Sequence, residues 1–123
     1  MMTTLGILGG GQLGRMLALA AAPLGVRCRA WDPSSNACAG HVCELVTAAW
    51  DDSAALERFC DGLDAVTCEF ENVPVDLLHA VSERTMVAPG PRSFSVASDR
   101  LDEKQFLEAQ GVPVAPYRTV DGA

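Results

Sequence analysis

Hydrophobic residues along the chain alternate between two kinds of spacing, and each change predicts a new structural element. Short apolar runs bounded by glycine, proline or aspartate are typical of buried β-strands, whereas apolar residues recurring every three or four positions are typical of amphipathic helices. The first pattern predicts strands at residues 4–8, 26–31, 44–47, 63–68 and 86–88. The second predicts helices near residues 12–22, 52–62, 74–81 and 99–110.

This alternation predicts an α/β fold in which a parallel sheet carries helices on both faces. Right-handed crossover connections favour the strand order 3-2-1-4-5, which is a doubly wound sheet. In this order the first and fourth strands are neighbours, although they are far apart in the sequence. The loops that follow them, beginning at Gly9 and Glu69, therefore meet at the switch point of the sheet, where such proteins bind ligands.

The last part of the chain departs from the alternation. The sequence PGP at residues 89–91 stops the fifth strand, and the helix predicted over residues 99–110 ends at Gly111. Two prolines exclude helix from residues 112–120, so an extended segment is predicted there.

Composition and charge narrow the class of protein. The 123 residues, with a mass of 13.0 kDa and 49% hydrophobic, can bury the core of one domain. Sixteen acidic and nine basic side chains give a net charge of −7, which disfavours nucleic-acid binding. The longest apolar stretch, residues 16–26, is too short to span a membrane, and the amino terminus lacks the basic start of a signal peptide. Five cysteines without zinc-site spacing predict buried thiols in a reducing compartment, so we expect a cytoplasmic protein.

The loop after the first strand carries the pattern G-x-G-x-x-G in Gly9, Gly11 and Gly14. These glycines allow a tight turn and close approach of a ligand, and the N–H groups that start the next helix can bind an anion. Asp32, at the end of the second strand, takes the place of the acid that binds ribose in dinucleotide enzymes. One prediction is therefore an NAD(P)-binding Rossmann domain of an oxidoreductase. The alternative is that the glycines only form a tight turn.

The loop after the fourth strand favours a different ligand. Glu69 and Glu71 point to the same side of an extended segment, where two carboxylates would repel a bound pyrophosphate. Carboxylates instead suit a ligand that presents N–H or O–H donors, such as an amine or a ribose. The alternative is that both acids are solvated, or that Glu71 or Asn72 caps the following helix.

Sequence patterns for nucleophilic, metal-dependent or phosphate-loop catalysis do not occur in the chain. It has no G-x-x-x-x-G-K-[ST], H-E-x-x-H or G-x-S-x-G pattern, and its single lysine is Lys104. The chain is therefore predicted to bind a ligand rather than to catalyse a reaction alone.

Three segments resemble the signatures of one enzyme family, the 5-(carboxyamino)imidazole ribonucleotide synthetases, which are ATP-grasp ligases of purine biosynthesis. The similarity covers nearly the whole chain in the correct order, and three signatures together are far more specific than the glycine pattern. The matching segments are GGGQLGRML at residues 9–17, TCEFENVP at 67–74 and DRLDEKQFL at 99–107, followed by GVPVAP at 111–116.

The resemblance implies an ATP-dependent carboxylation. ATP and bicarbonate form carboxyphosphate, whose CO₂ unit passes to the exocyclic amine of 5-aminoimidazole ribonucleotide, with Mg²⁺ present. By position, the residues predicted to bind the ribonucleotide are Gln12, Leu13, Glu69 and Glu71. Glu69 is predicted to accept hydrogen bonds from the amine. Arg100 corresponds to an arginine that contacts ATP; the alternative is a surface charge paired with a neighbouring acid.

The family also sets expectations for the domain organisation. Residues 1–98 are predicted to form a Rossmann-like, substrate-binding pre-ATP-grasp domain, and residues 99–123 a helix and linker leading to an ATP-grasp domain. Because family members are much longer, the chain is expected to be an N-terminal lobe without ligase activity of its own. Most ATP and Mg²⁺ contacts are expected outside it, in a protein that is a homodimer at full length. A regulatory or assembly module without catalysis is the remaining alternative.

Overall fold

A parallel sheet of five strands forms the centre of the fold in the computed structural model, which describes residues 2–121. The strands are β1 Thr4–Leu8, β2 Arg27–Asp32, β3 Glu44–Thr47, β4 Ala65–Cys68 and β5 Met86–Val87. They pair in the order β3-β2-β1-β4-β5, and each pair is parallel. This confirms the doubly wound sheet predicted from the sequence.

Five helices connect and flank the strands. They are α1 Gln12–Ala21, α2 Ser53–Cys60, α3 Val75–Ser82, α4 Pro91–Ala97 and α5 Arg100–Ala109, with short 3₁₀ turns at Ala22–Leu24 and Cys38–His41. The helix α4 was not predicted. Pro91 lies in its first turn, where a missing N–H costs nothing, so the proline-rich segment that ends β5 also starts a helix. Within residues 2–121, no helix is both long and apolar enough to cross a membrane.

Capping residues set several helix ends at the predicted places. The Asp52 side chain accepts a hydrogen bond of 2.8 Å from the N–H of Ala55 at the start of α2. Asp99 does the same at the start of α5, where it accepts from Leu101 over 2.8 Å. Gly111 follows α5 with φ of +74°, a conformation that favours glycine.

The two faces of the sheet are covered by residues of different size. Large side chains fill the side covered by α2 and α3, where the fully buried residues include Leu8, Trp31, Phe59, Leu78 and Val81. The rings of Trp31 and Phe59 lie 5.5 Å apart, and Trp31 Nε1 donates to the carbonyl of Ala48 over 2.9 Å. On the side covered by α1, the core consists of Ile7 and three alanines, Ala18, Ala30 and Ala39.

The apolar stripe of α1 faces away from the sheet. Three of its members are 41–62% exposed: Leu13, Met16 and Leu17. The buried positions of α1 are instead Gly14 and Ala18, whose small size lets the helix lie close to β1. A Cβ atom on Gly14 would come within 2.5 Å of the Gly9 carbonyl oxygen. The sequence pattern thus located the helix but did not indicate which side contacts the core.

Arg29 joins β2 to the carboxyl end of α2. One terminal nitrogen of its guanidinium donates to the carbonyls of Phe59 over 3.0 Å and Asp61 over 2.7 Å. Its Nε lies 2.9 Å from Glu44 Oε2, and only 17% of the Arg29 side chain is exposed. The arginine therefore satisfies carbonyls that the end of a helix leaves without partners.

Replacing Arg29 by methionine is expected to lower the free energy of unfolding by about 1–2 kcal/mol, because the carbonyls at the end of α2 lose a charged donor that is itself mostly buried. Urea unfolding monitored by circular dichroism measures this loss. Arg27→Met, in the same strand but exposed, is the matched control and is expected to change stability by less than about 0.5 kcal/mol. Equal losses in the two variants would contradict the role given to Arg29.

Candidate functional site

The loops after β1 and β4 lie side by side at the carboxyl edge of the sheet. The two strands pair up to Leu8 and Cys68, and the N–H of Glu69 then donates to the Leu8 carbonyl over 2.9 Å. This confirms that the strand order brings the glycine loop and the acidic loop together at the switch point.

The side chain of Glu69 lies directly against the glycine turn. A Cβ atom on Gly9 would come within 2.3 Å of Glu69 Oε2 and 2.9 Å of the Phe70 Cβ. A Cβ atom on Gly11 would lie 3.5 Å from Glu69 Oε1. Gly9 also has φ of +106°, which L side chains rarely adopt. Glycine at position 9 is therefore required both for the turn and for the place that Glu69 occupies.

The helix α1 begins beside this carboxylate with free backbone donors. Gly11 is its N-cap residue, and no side chain in the described part of the chain caps the helix. The N–H of Arg15 donates to the Gly11 carbonyl over 2.9 Å, which closes the first turn. The preceding N–H groups, from Gln12 onward, are therefore available to a polar or anionic group.

A cavity of about 560 Å³ lies between α1 and the end of β4. Its walls are mostly apolar, and the lining residues are Leu13, Met16, Leu17, Ala20, Cys68 and Glu69. Two residues predicted from the sequence, Leu13 and Glu69, thus line one cavity. Gln12 is exposed at the first position of α1, next to Gly11. The cavity offers an apolar wall and one carboxylate, which matches a flat ring that carries a hydrogen-bond donor.

Burial and charge both act on the acids and thiols of this cavity. Partial burial raises the pKa of Glu69 above its ordinary value, and the nearby Asp32 carboxylate raises it further. Burial is also the main cause that raises the pKa of the Cys68 thiol to about 11, so this thiol stays protonated near neutral pH. Of these two groups, Glu69 is therefore the one that carries a negative charge near neutral pH and loses it as the pH falls.

Asp32 has a structural role that the sequence did not reveal. Its Oδ2 accepts the N–H of Gly10 over 2.8 Å, and its Oδ1 accepts the N–H of Ser34 over 2.8 Å. In the oxidoreductase prediction Asp32 binds a ribose, whereas in the structure both of its oxygens accept from backbone N–H groups. The predicted strand order could have indicated this role, because a residue at the end of the strand beside β1 borders the first turn in any doubly wound sheet.

Glu71 lies apart from this contact. Its side chain is exposed in the turn after β4. The predicted capping of the next helix is not formed, because α3 begins after Pro74 and no side chain of residues 2–121 accepts its first N–H groups. Glu71 therefore keeps a free carboxylate near the candidate site, and a role in binding stays a prediction.

Arg100 opens α5 at some distance in sequence from the two loops. It pairs with Glu103 one turn later, and 79% of its side chain is exposed, so the surface-pair alternative is realised in the structure. It also borders an open cavity of about 420 Å³ together with Lys104, Tyr117 and Arg118. The carboxylates of Asp99 and Asp121 line the same cavity beside these three cations, and contact with ATP stays a prediction.

The described residues offer no set of ligands for a metal ion. Within residues 2–121, no three side chains of histidine, cysteine, aspartate or glutamate are grouped closely enough to hold one. The Mg²⁺ that the family resemblance implies therefore does not fit this part of the chain.

Fold and site together define a doubly wound α/β domain with a candidate ligand site at its switch point. The family model for the ribonucleotide synthetase pre-ATP-grasp domain matches residues 2–98. The chain belongs to this family. The match favours the ligase prediction over an NAD(P)-binding oxidoreductase domain.

Named relatives of the chain are considerably longer. An N5-carboxyaminoimidazole ribonucleotide synthase of Brucella melitensis is 43% identical over 120 residues, which are 97% of this chain and 33% of that protein. The crystal structure of the N5-carboxyaminoimidazole ribonucleotide synthetase from Thermus thermophilus is 53% identical, with a TM-score of 0.91 over 96% of this chain and 33% of that one. The chain thus spans about a third of the length of these relatives.

A fungal relative was crystallised with small molecules bound. The N5-carboxyaminoimidazole synthase from Aspergillus clavatus, in complex with ADP and 5-aminoimidazole ribonucleotide, is 28% identical to this chain. Its TM-score is 0.83, over 94% of this chain and 31% of that one.

Proposed function

We propose that this chain is the ribonucleotide-binding lobe of an ATP-dependent ligase that carboxylates 5-aminoimidazole ribonucleotide with bicarbonate in purine biosynthesis. The observation that carries the proposal is the contact of the Glu69 carboxylate with the glycine turn, beside an apolar cavity and the uncapped start of α1. A carboxylate accepts hydrogen bonds from an amine, and an apolar wall suits the imidazole ring.

Each residue of the proposed site binds a different part of the ligand. Glu69 accepts from the exocyclic amine, which holds the nitrogen in place for attack on the carboxyl donor. Leu13 packs against the ring, and the N–H and side chain of Gln12 bind a polar group of the ribose or phosphate. Glu71, which is exposed near the same loop, adds a second acceptor to the amine or the ribose.

ATP and the metal are held mainly by parts of the protein beyond this lobe. Arg100, with the neighbouring Lys104 and Arg118, contributes positive charge toward the ATP phosphates. Because the described residues lack a metal-ligand set, we assign the binding of Mg²⁺ to the ATP-grasp domain. The relative crystallised with ADP and the ribonucleotide supports this choice of ligands.

The proposal includes the organisation of the protein. Residues 1–98 form the substrate lobe, and residues 99–123 form the helix and linker that lead to the ATP-grasp domain. The full-length enzyme is a cytoplasmic homodimer that binds neither nucleic acid nor membranes, in keeping with the net charge of −7.

Calorimetric titration of residues 1–123 with 5-aminoimidazole ribonucleotide tests the proposal. The matched control ligand is imidazole ribonucleotide, which lacks the amine, and it is expected to bind about tenfold more weakly because Glu69 loses its donor. NADH is expected to give no fluorescence change, and ATP is not expected to be hydrolysed by this chain. Equal affinity for the two ribonucleotides, or micromolar NADH binding, would overturn the proposal.

A further inference from the structure

Asp32 connects three segments around the candidate site although it does not line the cavity. It ends β2, accepts the N–H of Gly10 in the glycine turn, and accepts the N–H of Ser34 in the loop after β2, each over 2.8 Å. Carboxylates bound to backbone N–H groups in this way fix the course of a loop.

The glycine turn is held at Gly10 from both sides. While its N–H donates to Asp32, its carbonyl accepts the N–H of Ala39 over 2.9 Å. The turn also packs closely here, since a Cβ atom on Gly10 would lie 3.0 Å from the Asp32 Cβ and 2.9 Å from the Ala37 Cβ. Gly10 lies between Gly9 and Gly11, the two glycines that face Glu69, so holding Gly10 determines the surface on which Glu69 lies.

Asp32 is also the charged neighbour of Glu69. Its negative charge adds to burial in raising the pKa of Glu69. Cys68, which precedes Glu69 and lines the same cavity, stays a neutral thiol because its pKa is raised to about 11. The α1 residues that line the same cavity are uncharged: Leu13, Met16, Leu17 and Ala20.

We propose that Asp32 is the positioning residue of the ribonucleotide site: its carboxylate holds the glycine turn in the conformation that receives Glu69 and places a negative charge behind that side chain. The proposal deepens the proposed function and rests on it for the identity of the ligand. Asp32 is not among the residues that line the cavity, so we assign it no contact with the ligand; its two oxygens accept from Gly10 and Ser34.

Carbon-13 NMR titration of the ligand-free chain tests the electrostatic part. In Asp32→Asn the pKa of the Glu69 carboxyl is expected to fall, because a like charge is removed. Asp52→Asn is the matched control: Asp52 also accepts a backbone N–H over 2.8 Å, at the start of α2, and its loss is expected to leave the Glu69 titration unchanged. A merely structural role for Asp32 predicts no specific change at Glu69, and an unchanged titration in Asp32→Asn overturns the proposal.

NMR of the unaltered, isotope-labelled chain tests the hydrogen bonds and needs no folded variant. Couplings through the hydrogen bonds are expected from the amides of Gly10 and Ser34 to the Asp32 carboxyl carbon, and from the amide of Ala55 to that of Asp52. A coupling that is present at Ala55 and absent at Gly10 and Ser34 overturns the proposal. These readouts use no ligand, so a chain that fails to bind the ribonucleotide contradicts the proposed function without affecting them.

With ligand, Asp32→Asn is expected to bind 5-aminoimidazole ribonucleotide about tenfold more weakly at neutral pH, because one of the two oxygens that hold Gly10 and Ser34 is replaced by an amide N–H₂. The midpoint of the pH dependence of binding is expected to move to lower pH, in step with the Glu69 titration. Asp52→Asn is expected to retain both the affinity and the midpoint. A lower affinity with an unmoved midpoint would assign Asp32 a structural role only.

Discussion

Replacing Glu69 by glutamine is expected to weaken binding of 5-aminoimidazole ribonucleotide about 10- to 100-fold, because a charged acceptor is lost and the new amide N–H₂ faces the amine of the ligand. Because the isosteric change leaves the glycine turn and the cavity in place, the loss of affinity measures the effect of the charge and of the acceptor oxygen of Glu69. Calorimetric titration of the chain measures it. Glu71→Gln is the control, since this exposed side chain lies outside the cavity, and it is expected to lose less than Glu69→Gln.

The pH dependence of binding follows from the same carboxylate. Burial and Asp32 raise the pKa of Glu69, so its ionised, accepting form is lost at a higher pH than for an exposed glutamate. Affinity is therefore expected to fall as pH decreases through this raised pKa, and Glu69→Gln is expected to abolish the dependence. A variant that keeps the pH dependence would show that another group is responsible.

The stability of the free chain is expected to change in the opposite direction. The pKa of Glu69 is higher in the folded chain than in the unfolded chain. At a pH above both values, ionisation of Glu69 therefore lowers the free energy of unfolding. At a pH below both values the carboxyl is protonated in both states, and this destabilisation disappears. Glu69→Gln is therefore expected to raise the melting temperature slightly at neutral pH and to have no effect near pH 3. A lower melting temperature at neutral pH would contradict the cause assigned to the pKa shift.

Replacing Gly9 by alanine is expected to lower the free energy of unfolding by about 3 kcal/mol, since strain at positive φ adds to overpacking against the acidic loop. The new Cβ would lie 2.3 Å from Glu69 Oε2, so Glu69 must leave its place and ribonucleotide affinity is expected to fall at least about tenfold. Urea unfolding and calorimetric titration measure the two effects.

Gly25→Ala separates backbone strain from the effect on the site. Gly25 also has positive φ, +73°, but a Cβ atom there meets nothing within 4 Å. The variant is expected to lose about 1 kcal/mol of stability and no affinity. If both alanine variants bind the ribonucleotide equally, the close approach of Glu69 to Gly9 does not matter for binding.

The fold could be predicted from the sequence because the strands and helices of a parallel α/β protein alternate regularly along the chain. The bounds of β1 and β3 were predicted correctly, and the neighbouring places of β1 and β4 followed from the handedness of the crossovers alone. The helix α4 was missed because Pro91 was treated only as a strand breaker, although proline also suits the first turn of a helix.

Details of the site depended on three-dimensional packing that spacing does not encode. Leu13 and Glu69 were correctly expected to meet, since each follows the end of a neighbouring strand. The outward direction of Met16 and Leu17 was not predictable, because it results from Gly14 and Ala18 packing on the sheet. The hydrogen bond from Gly10 to Asp32 likewise depends on the pairing of β1 with β2, whereas the bond from Ser34, two residues after Asp32, is a local turn.

The hydrogen bond from the Glu69 N–H to the Leu8 carbonyl extends the β1–β4 ladder by one residue beyond the paired strands. The backbone of Glu69 is therefore tied to the central strands, and its amide is expected to exchange with solvent together with those of the β1–β4 ladder. A preorganised backbone of this kind loses little conformational entropy when a ligand binds. Under the proposed function, the backbone of Glu69 needs no rearrangement to present its carboxylate to the amine.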